Sequence, residues 1–403
     1  MIKQTQTKMF RFSDVGLDLC SGSKNKFPDV FKKVLATGFN TQNASSVSIS
    51  GNQITLNYGV NHGYVADRIL QVTAAGGFDQ QVYIDSVTSN SVTCSVLTGN
   101  TSGLSGSITT KSASLGWEIV YEVANIHIYR FKHIDDTDMY ARFCFQDNSS
   151  ARNCLVPCVG KTADLTNGTI TDDYAESANK NISTPTAVAS VKRWEFSGMA
   201  GNTYDNYTYS QGASLFGNGL IIGSPYHLCI ALHHYFSDGR GIINAILPCA
   251  LHNYVAIQRP MLLMYDLNTT GSANITNYIP LLELSVGGNV CSMEKQNAAN
   301  AKLVAPTASS SFIGLDTFNT TTVESISIYE NSTKQHLGYV IGGMYIARYG
   351  STNTPPITRA DSPSFTTDID FSNSIALHYI ANQGNAAASV FFALPVEEVK
   401  IGA

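Results

Sequence analysis

Apolar and polar residues alternate with a period of two over much of the chain, a pattern that predicts β-strands. Residues 47–49 and 54–58 alternate on either side of the turn sequence Ser-Gly-Asn-Gln, as expected of a hairpin. A second pair follows at 82–84 and 92–96. The segment 41–111, which is rich in Ser, Thr and Gly, is therefore predicted to form a small β-sandwich or barrel.

Longer strand patterns follow this segment. Residues 126–131 place Ile and Arg on one face and His, Tyr and Phe on the other. With a turn at 135–138 and the segment 139–145, they predict an antiparallel hairpin. Further strands are predicted at 116–122, 192–196, 215–222, 227–236, 241–248, 254–265, 324–329, 339–349, 375–380 and 390–399. The predicted fold is mainly β, with an antiparallel β-sandwich or barrel core.

One short helix is predicted near the start of the chain. In the segment 27–38, apolar residues recur at helical spacing, Pro28 suits the first turn and Gly38 suits the end. The polar residues 1–26 are predicted to form an extended N-terminal arm, and residues 160–190 a long polar loop. We expect both segments to tether the chain to neighbouring molecules, because an exposed arm becomes ordered only when a partner orders it.

Composition narrows the classes of partner. Charged residues make up 14% of the 403-residue chain and the net charge is -5, so no general attraction to nucleic acid or anionic lipid is expected. Hydrophobic residues make up 43%, enough for a large core. No apolar run is long enough for a membrane span. A surface poor in charge suits broad contacts between subunits, and it would equally suit a glycan-binding surface.

The cysteines are predicted to be reduced and structural. The first residues, Met-Ile-Lys-Gln-Thr-Gln-Thr-Lys, contain no apolar segment like that of a secretory signal, so we expect synthesis in a cytoplasm. Several cysteines lie in apolar strand patterns, where a thiol behaves as a small hydrophobe. The eight are Cys20, Cys94, Cys144, Cys154, Cys158, Cys229, Cys249 and Cys291.

Residues 34–40 and 113–121, although far apart in sequence, together resemble a family of bacteriophage virion proteins. Val34-Leu-Ala-Thr-Gly-Phe-Asn resembles the end of that family's helix, and Ala113-Ser-Leu-Gly-Trp-Glu-Ile-Val-Tyr resembles the Gly-Trp strand that follows it. Ile128-Tyr-Arg, then Tyr140 and Arg142, resemble its next two strands. Weaker matches are Trp194, Tyr235-Phe236 and Phe216-Gly-Asn218, the last with Asn in place of an acidic residue.

A second phage module is similar to the intervening segment, through Asn61-His-Gly-Tyr-Val-Ala-Asp-Arg-Ile-Leu. The two resemblances imply a main β domain of residues 1–40 and 112–403, with residues 41–111 inserted. They imply a non-enzymatic structural subunit of the virion, made in the bacterial host cytoplasm and located in the tail or neck, including the collar or baseplate. Its expected partners are copies of itself, in rings or trimers, and other virion proteins.

Candidate catalytic and metal-binding groups are weak. The histidines 227, 233, 234 and 252 alternate in direction along strands, and Cys154 and Cys158 lack the second Cys pair of a zinc ribbon. The acidic turn 135–138 lacks the calcium-loop pattern, and Glu397 and Glu398 would face opposite ways on a strand. We therefore expect no enzyme activity, no cofactor and no metal.

An alternative function is that of a phage protein that binds a host receptor. It would be a tail fibre or spike that binds glycans, or a capsid decoration protein. Under this hypothesis the segment 41–111 would hold host surface glycans by stacking aromatic rings on sugars. The aromatic residues proposed for that contact are Tyr58, Tyr64, Phe78 and Tyr83.

Overall fold

The computed structural model of the protein describes most of the chain. The described residues are 3–185, 191–197, 204–216, 219–233, 241–265, 282–292, 321–330, 332–333, 335–349, 362–367, 374–380 and 390–399. Among the weaker matches named above, Tyr235-Phe236 and Gly217-Asn218 lie outside these residues, as does His234. The polar stretch 266–280 and most of 350–370 also lie outside them.

Strands make up most of the regular structure, and all their pairings are antiparallel. The first half contains β1 (Lys8–Arg11), β2 (Phe39–Ala44), β3 (Ser46–Ser50), β4 (Gln53–Asn57), β5 (Ile69–Ala74), β6 (Asp79–Val87), β7 (Ser91–Ser95), β8 (Ile108–Ser112), β9 (Glu118–Val123), β10 (Ile126–Lys132), β11 (Asp138–Phe145), β12 (Cys154–Gly160), β13 (Ala163–Asp164), β14 (Thr169–Ile170) and β15 (Trp194–Glu195). The second half contains β16 (Leu220–Ser224), β17 (His227–His233), β18 (Gly241–Leu247), β19 (Cys249–Leu251), β20 (Met261–Tyr265), β21 (Leu282–Val286), β22 (Asn289–Ser292), β23 (Thr321–Glu324), β24 (Ser327–Glu330), β25 (His336–Val340), β26 (Tyr345–Tyr349), β27 (Ser364–Thr367), β28 (Ser374–Ile380) and β29 (Val390–Pro395).

Helices are few. A continuous helical segment consists of a 3₁₀ turn (Lys24–Lys26), α1 (Phe27–Lys32) and a π turn (Lys33–Thr37), and Gly38 ends it with a φ of 72°. This segment is the predicted N-terminal helix, which the structure confirms. A second helix, α2, spans Tyr209–Phe216, and a 3₁₀ turn spans Val255–Ile257.

Three stacked sheets form the body of the protein. The middle sheet has ten strands in the order β1-β16-β17-β18-β20-β21-β22-β24-β25-β19. On one face it packs against a five-stranded sheet, β15-β12-β11-β10-β9, and against α1, around a core that includes Phe31, Phe143, Trp194 and Ile230. On the other face it packs against β23-β26-β29-β28-β27. The mainly β fold with antiparallel, sandwich-like packing is thus confirmed.

The middle sheet is apolar on both faces because it lies between two layers. Every residue of β17 and β18 is buried, and their sequences, His-Leu-Cys-Ile-Ala-Leu-His and Gly-Ile-Ile-Asn-Ala-Ile-Leu, are nearly continuous apolar runs. Leu228, Ile230 and Leu232 face the first core, whereas Cys229 and Ala231 face the second. Sheets covered on both sides require such runs in place of alternation.

The segment from Phe39 to Ser112 forms a seven-stranded sheet of its own, which we call the module. Its strand order is β2-β8-β5-β6-β7-β4-β3, and it encloses a separate core drawn from residues 54–108. Ser45 alone connects the two edge strands, β2 and β3. We call the remainder of the chain the body.

The module leaves and rejoins the body at one point, the end of the helical segment. Phe39 and Ser112 are cross-strand partners. Just beyond them, the Leu115 amide donates to the Val34 carbonyl and the Trp117 amide to the Leu35 carbonyl, each at 2.9 Å. The segment that leads into the Gly-Trp strand therefore lies next to the end of the helical segment. Residues 39–112 are placed like an insertion between the two.

The N-terminal segment is not an exposed arm, so that expectation is wrong. Strand β1 pairs with β16, and Gln4, Thr7 and Lys8 are buried. The reason is that Met9 and Phe10 supply apolar side chains to the two cores on opposite faces of the middle sheet. The segment is a structural part of the body.

Other local predictions also differ from the structure. Residues 209–216 form α2 where a strand beginning at 215 was predicted, and the strand runs over 220–224. The predicted strand at 254–265 is a 3₁₀ turn followed by β20. No helix in the described part of the chain is long and apolar enough to cross a membrane.

Candidate functional site

The candidate histidines do not converge on one point. His227 is buried, with its Nδ1 2.8 Å from Ser224 Oγ. The ring centroids of His233 and His378 are 5.1 Å apart. His252 Nε2 lies 3.2 Å from His336 Nδ1, in a different part of the chain. Among the described residues, no group of three or more His, Cys, Asp or Glu side chains is arranged to hold a metal ion.

The two cysteines of the Cys-x-x-x-Cys pair are buried in β12, and each thiol has local partners. Cys154 Sγ accepts a hydrogen bond from Gln146 Nε2 at 3.3 Å, and burial raises the pKa of the Cys158 thiol to about 12. All eight cysteines are free and buried, as predicted for structural thiols. Thiols of raised pKa are poor nucleophiles and poor metal ligands at neutral pH.

The acidic turn and the carboxylate pair also serve local structure. Asp135 Oδ1 accepts from both the amide and the hydroxyl of Thr137, and Asp138 lies 2.6 Å from Lys132 Nζ. Glu397 accepts a hydrogen bond from the Tyr345 hydroxyl at 3.2 Å, whereas Glu398 is exposed. The carboxylates of each set are engaged separately, and neither set forms a shared site.

The four aromatic residues proposed for glycan contact are buried, which corrects that assignment. Their exposed fractions are 4% for Tyr58, 6% for Tyr64, 1% for Phe78 and 4% for Tyr83. The hydroxyls of Tyr58 and Tyr64 both lie within 3.0 Å of Thr110 Oγ1, and the Tyr83 hydroxyl donates to Asp67. Tyr58, Tyr64 and Phe78 belong to the module's core, whereas Tyr83 packs separately with Ile69 and Ala113, so none of the four has a free face for a sugar.

The His-Gly-Tyr sequence of the module forms a tight turn against the body. His62 Nδ1 accepts from the Tyr64 amide at 3.0 Å, which leaves Nε2 to donate to the Thr88 carbonyl at 2.9 Å. Gly63 has a φ of 70°, and a Cβ there would collide with Val15 of the body. Glycine is therefore required at this point both for backbone conformation and for close approach of the two regions.

A groove runs along this seam between module and body. It has a volume of about 500 Å³, within the usual range for binding clefts. Arg68 and Val65 line it from the module, and Asp14, Val15 and Phe365 line it from the body. Val15 and Val65 are about half exposed, at 53% and 46%, so the groove has an apolar rim.

The charged groups of the groove are incompletely paired. Arg68 Nε and Asp14 Oδ2 are 3.9 Å apart, too far for a hydrogen bond, and within the described residues Arg68 Nε has no acceptor. Burial raises the pKa of Asp14, although Arg68 opposes the shift. Arg11 covers the Phe365 ring at 4.8 Å. The described lining holds no His or Cys that could act as base or nucleophile.

Residues of the first resemblance prove to be structural anchors of the body. Trp117 stacks on Phe131 and donates from Nε1 to the Ser224 carbonyl at 2.9 Å, and Trp194 Nε1 donates to the Leu263 carbonyl at 2.7 Å. Arg142 is buried and donates to two carbonyls of the polar loop, Gly168 and Ile182. The described part of this loop is thus anchored to its own chain, and its role as a tether to neighbouring molecules stays a prediction.

The module presents an open sheet edge at β3. This strand pairs with β4 on one side, and no other strand among the described residues pairs with its other side. Ser46, Ser48, Ile49 and Ser50 are exposed, with Ile49 at 47%. The sequence signal for this surface is the run from Asn40 to Ala66, which contains no Asp, Glu, Lys or Arg.

No family model matches this chain, and a comparison with curated proteins finds no relative.

Proposed function

We propose that this chain is a non-enzymatic structural subunit of a bacteriophage particle. It builds the tail or neck, in the collar or baseplate region, by associating with copies of itself and with neighbouring virion proteins. The observation that carries this proposal is the uncharged, exposed side of the module, which includes the open edge of β3. Isolated proteins normally protect such edges with charge, proline or a covering segment, so an unprotected edge favours a partner strand.

The arrangement of the body supports the same proposal. The residues of the resemblance, from Val34 to Trp117, meet at the single point where the module joins the body. The candidate chemical groups are occupied in local structure, as described for the buried thiols and the histidines. The burial of the four module aromatics removes the stacking surface on which the glycan-binding alternative was based.

The test is the mass of the purified full-length chain in solution, measured by light scattering over a range of concentrations and followed by electron microscopy. Closed rings are the expected result and would favour the neck or tail. Trimers would contradict a ring subunit and favour a fibre, spike or decoration protein. A chain that stays monomeric at all concentrations would contradict self-association.

A further inference from the structure

We infer that β3 of the module pairs antiparallel with β3 of a second copy of this chain, about a two-fold axis through Ser48. This inference rests on the proposed function, since it names the surface through which copies associate. The edge is open and carries no charge, and the occupant is indicated by the sequence of the strand itself, Ser-Val-Ser-Ile-Ser.

The hairpin geometry fixes which backbone groups of β3 face outward. Strands β3 and β4 are joined by the two-residue turn Gly51-Asn52, and Ser50 pairs with Gln53 across it. The residues that flank a two-residue turn form a hydrogen-bonded pair, and bonded and non-bonded pairs then alternate along the hairpin. The backbone amides and carbonyls of Ser46, Ser48 and Ser50 thus form hydrogen bonds with β4. The amide and carbonyl groups of Val47 and Ile49 point away from the sheet.

A second β3 complements these outward groups. Antiparallel pairing centred on Ser48 places Val47 opposite Ile49 of the second copy and Ser46 opposite Ser50. Val47 and Ile49 then form the hydrogen-bonded pairs, so the outward amides and carbonyls of one strand meet those of the other. The strand is self-complementary in backbone pattern, and its side chains match as well.

The side chains gain burial in this arrangement. Val47 packs at the margin of the module's core, and Ile49 lies opposite the fully buried Ile54 of β4. Ile49 is 47% exposed because the sheet ends beside it. Val47 of the second copy would lie next to Ile49 on the same face, and the serines would face each other on the polar face. Two copies would thus continue one sheet.

Two other sheet edges among the described residues are protected. The edge strand β9 contains Glu118 and Glu122, which form ion pairs with Arg130 and Lys32, and it has a bulge against β10. The edge strand β2 also has a bulge against β8. By contrast, β3 pairs with β4 in a regular register and carries no charge or proline. The contact is isologous, so it joins two copies and closes there, and a closed ring of more copies needs a second contact elsewhere on the chain.

Disulfide trapping in the full-length chain tests this pairing directly. In the proposed register Ser48 faces its own counterpart in a non-hydrogen-bonded pair, with Cα atoms about 4.5 Å apart, a distance that a disulfide can span. We expect Ser48→Cys to form covalent dimers under mild oxidation. Because all eight native cysteines are buried, they should contribute little background.

Matched variants make the register specific. Ser46→Cys alone should not cross-link, because it faces Ser50 of the other copy, whereas a mixture of Ser46→Cys and Ser50→Cys should. In the Ser48→Cys background, Ile49→Lys should lower the cross-linked fraction about tenfold, because it places a charged side chain opposite the apolar Val47 of the second copy and protects the edge. Val60→Lys, which adds the same charge at a 64% exposed site of the module, should not.

The outcomes separate this inference from the proposed function. Assembly of the wild-type chain without cross-linking of Ser48→Cys would overturn the β3 contact and leave self-association standing. Equal cross-linking by Ser46→Cys alone would indicate random collision and would also overturn it. A monomeric wild-type chain, together with no cross-linking of Ser48→Cys, would overturn both the β3 contact and self-association.

Discussion

The body and the module differ in where they place charge. The body buries several charged side chains, and some of them, such as Lys24, Arg142 and Arg259, bind partners from distant segments. The ammonium group of Lys24 lies within 3.0 Å of the carbonyls of Asn148, Ser149 and Ala151 and 3.2 Å from Asp205. The module instead uses hydroxyls and amides inside, as at Thr110, and has no charged residue between Asn40 and Ala66.

The difference teaches that a low content of charge serves two separate purposes in one chain. In the body, a few buried cations bind the carbonyl groups of long loops. Arg142 is an example. Its guanidinium is buried, which lowers its pKa, and it donates hydrogen bonds to two loop carbonyls. In the module, the lack of charge leaves a sheet edge available for a partner.

The largest effect is expected from breaking the buried ion pair of the body. Arg259 donates to Asp172 from Nε at 2.6 Å and from Nη2 at 2.9 Å, and both side chains are less than 10% exposed. Although burial opposes it, bonding by Arg259 holds the pKa of Asp172 down at about 2. Asp172→Asn leaves the guanidinium uncompensated, so we expect a loss of about 3 to 5 kcal/mol in the free energy of unfolding, measured by urea denaturation.

Two variants control this measurement. Asp138→Asn removes an exposed carboxylate that lies 2.6 Å from Lys132, and it should cost less than about 1 kcal/mol. Replacing both partners, Asp172→Asn with Arg259→Met, should recover part of the stability because no unpaired charge remains. An Asp172→Asn variant as stable as Asp138→Asn would show that the body does not depend on its buried charges.

The sequence was sufficient to predict the parts of the fold that depend on local pattern. The hairpin over 126–145 has the predicted turn, with Lys132 opposite Asp138, and Tyr129 and Phe131 point together into the core. The fold class and the N-terminal helix follow from the same kind of signal. The three-layer arrangement does not, because it depends on pairings between distant segments, such as β1 with β16.

The failures have identifiable physical causes. Helix α2 begins where Asp18, far away in sequence, accepts a hydrogen bond from the Ser210 amide at 3.1 Å, and a local pattern cannot reveal such a cap. The aromatic residues of the module were assigned to the surface because rings suit sugars as well as cores. Their burial follows from packing between distant strands of the module, which for Tyr58 and Tyr64 places both hydroxyls on Thr110.

A second, intermediate effect concerns a neutral base buried in the body. Complete burial lowers the pKa of His227 to about 3. Because this lies below the unfolded value of about 6.5, the unfolded chain binds the proton first, and stability is lost as the pH falls below about 6.5. From pH 7 to pH 5 His227 should account for a loss of about 2 kcal/mol. His227→Phe should reduce the difference in unfolding free energy between these two pH values by that amount.

Measurements at pH 7 and pH 8 provide the control for His227. Both values lie above the unfolded pKa, so the effect of His227→Phe on the free energy of unfolding should be the same at the two. If His227→Phe left the difference between pH 7 and pH 5 unchanged, His227 would not be a source of acid sensitivity in the body.

The smallest effect is expected at the ion pair that joins body and module. Lys3 Nζ lies 2.6 Å from Asp85 Oδ1 and 2.8 Å from Ser95 Oγ, but the Lys3 side chain is 50% exposed. Lys3→Gln should therefore lower the free energy of unfolding by less than about 1 kcal/mol, and the difference should shrink further at high salt.

Asp85→Asn is the matched variant, and it should lower the free energy of unfolding by more, because the Asp85 carboxylate also accepts from Ser95 and Gln53. A loss from Lys3→Gln as large as that from Asp172→Asn would mean that charge holds the two regions together. The contrast between the buried charges of the body and the uncharged stretch from Asn40 to Ala66 in the module would then not explain how the two regions differ.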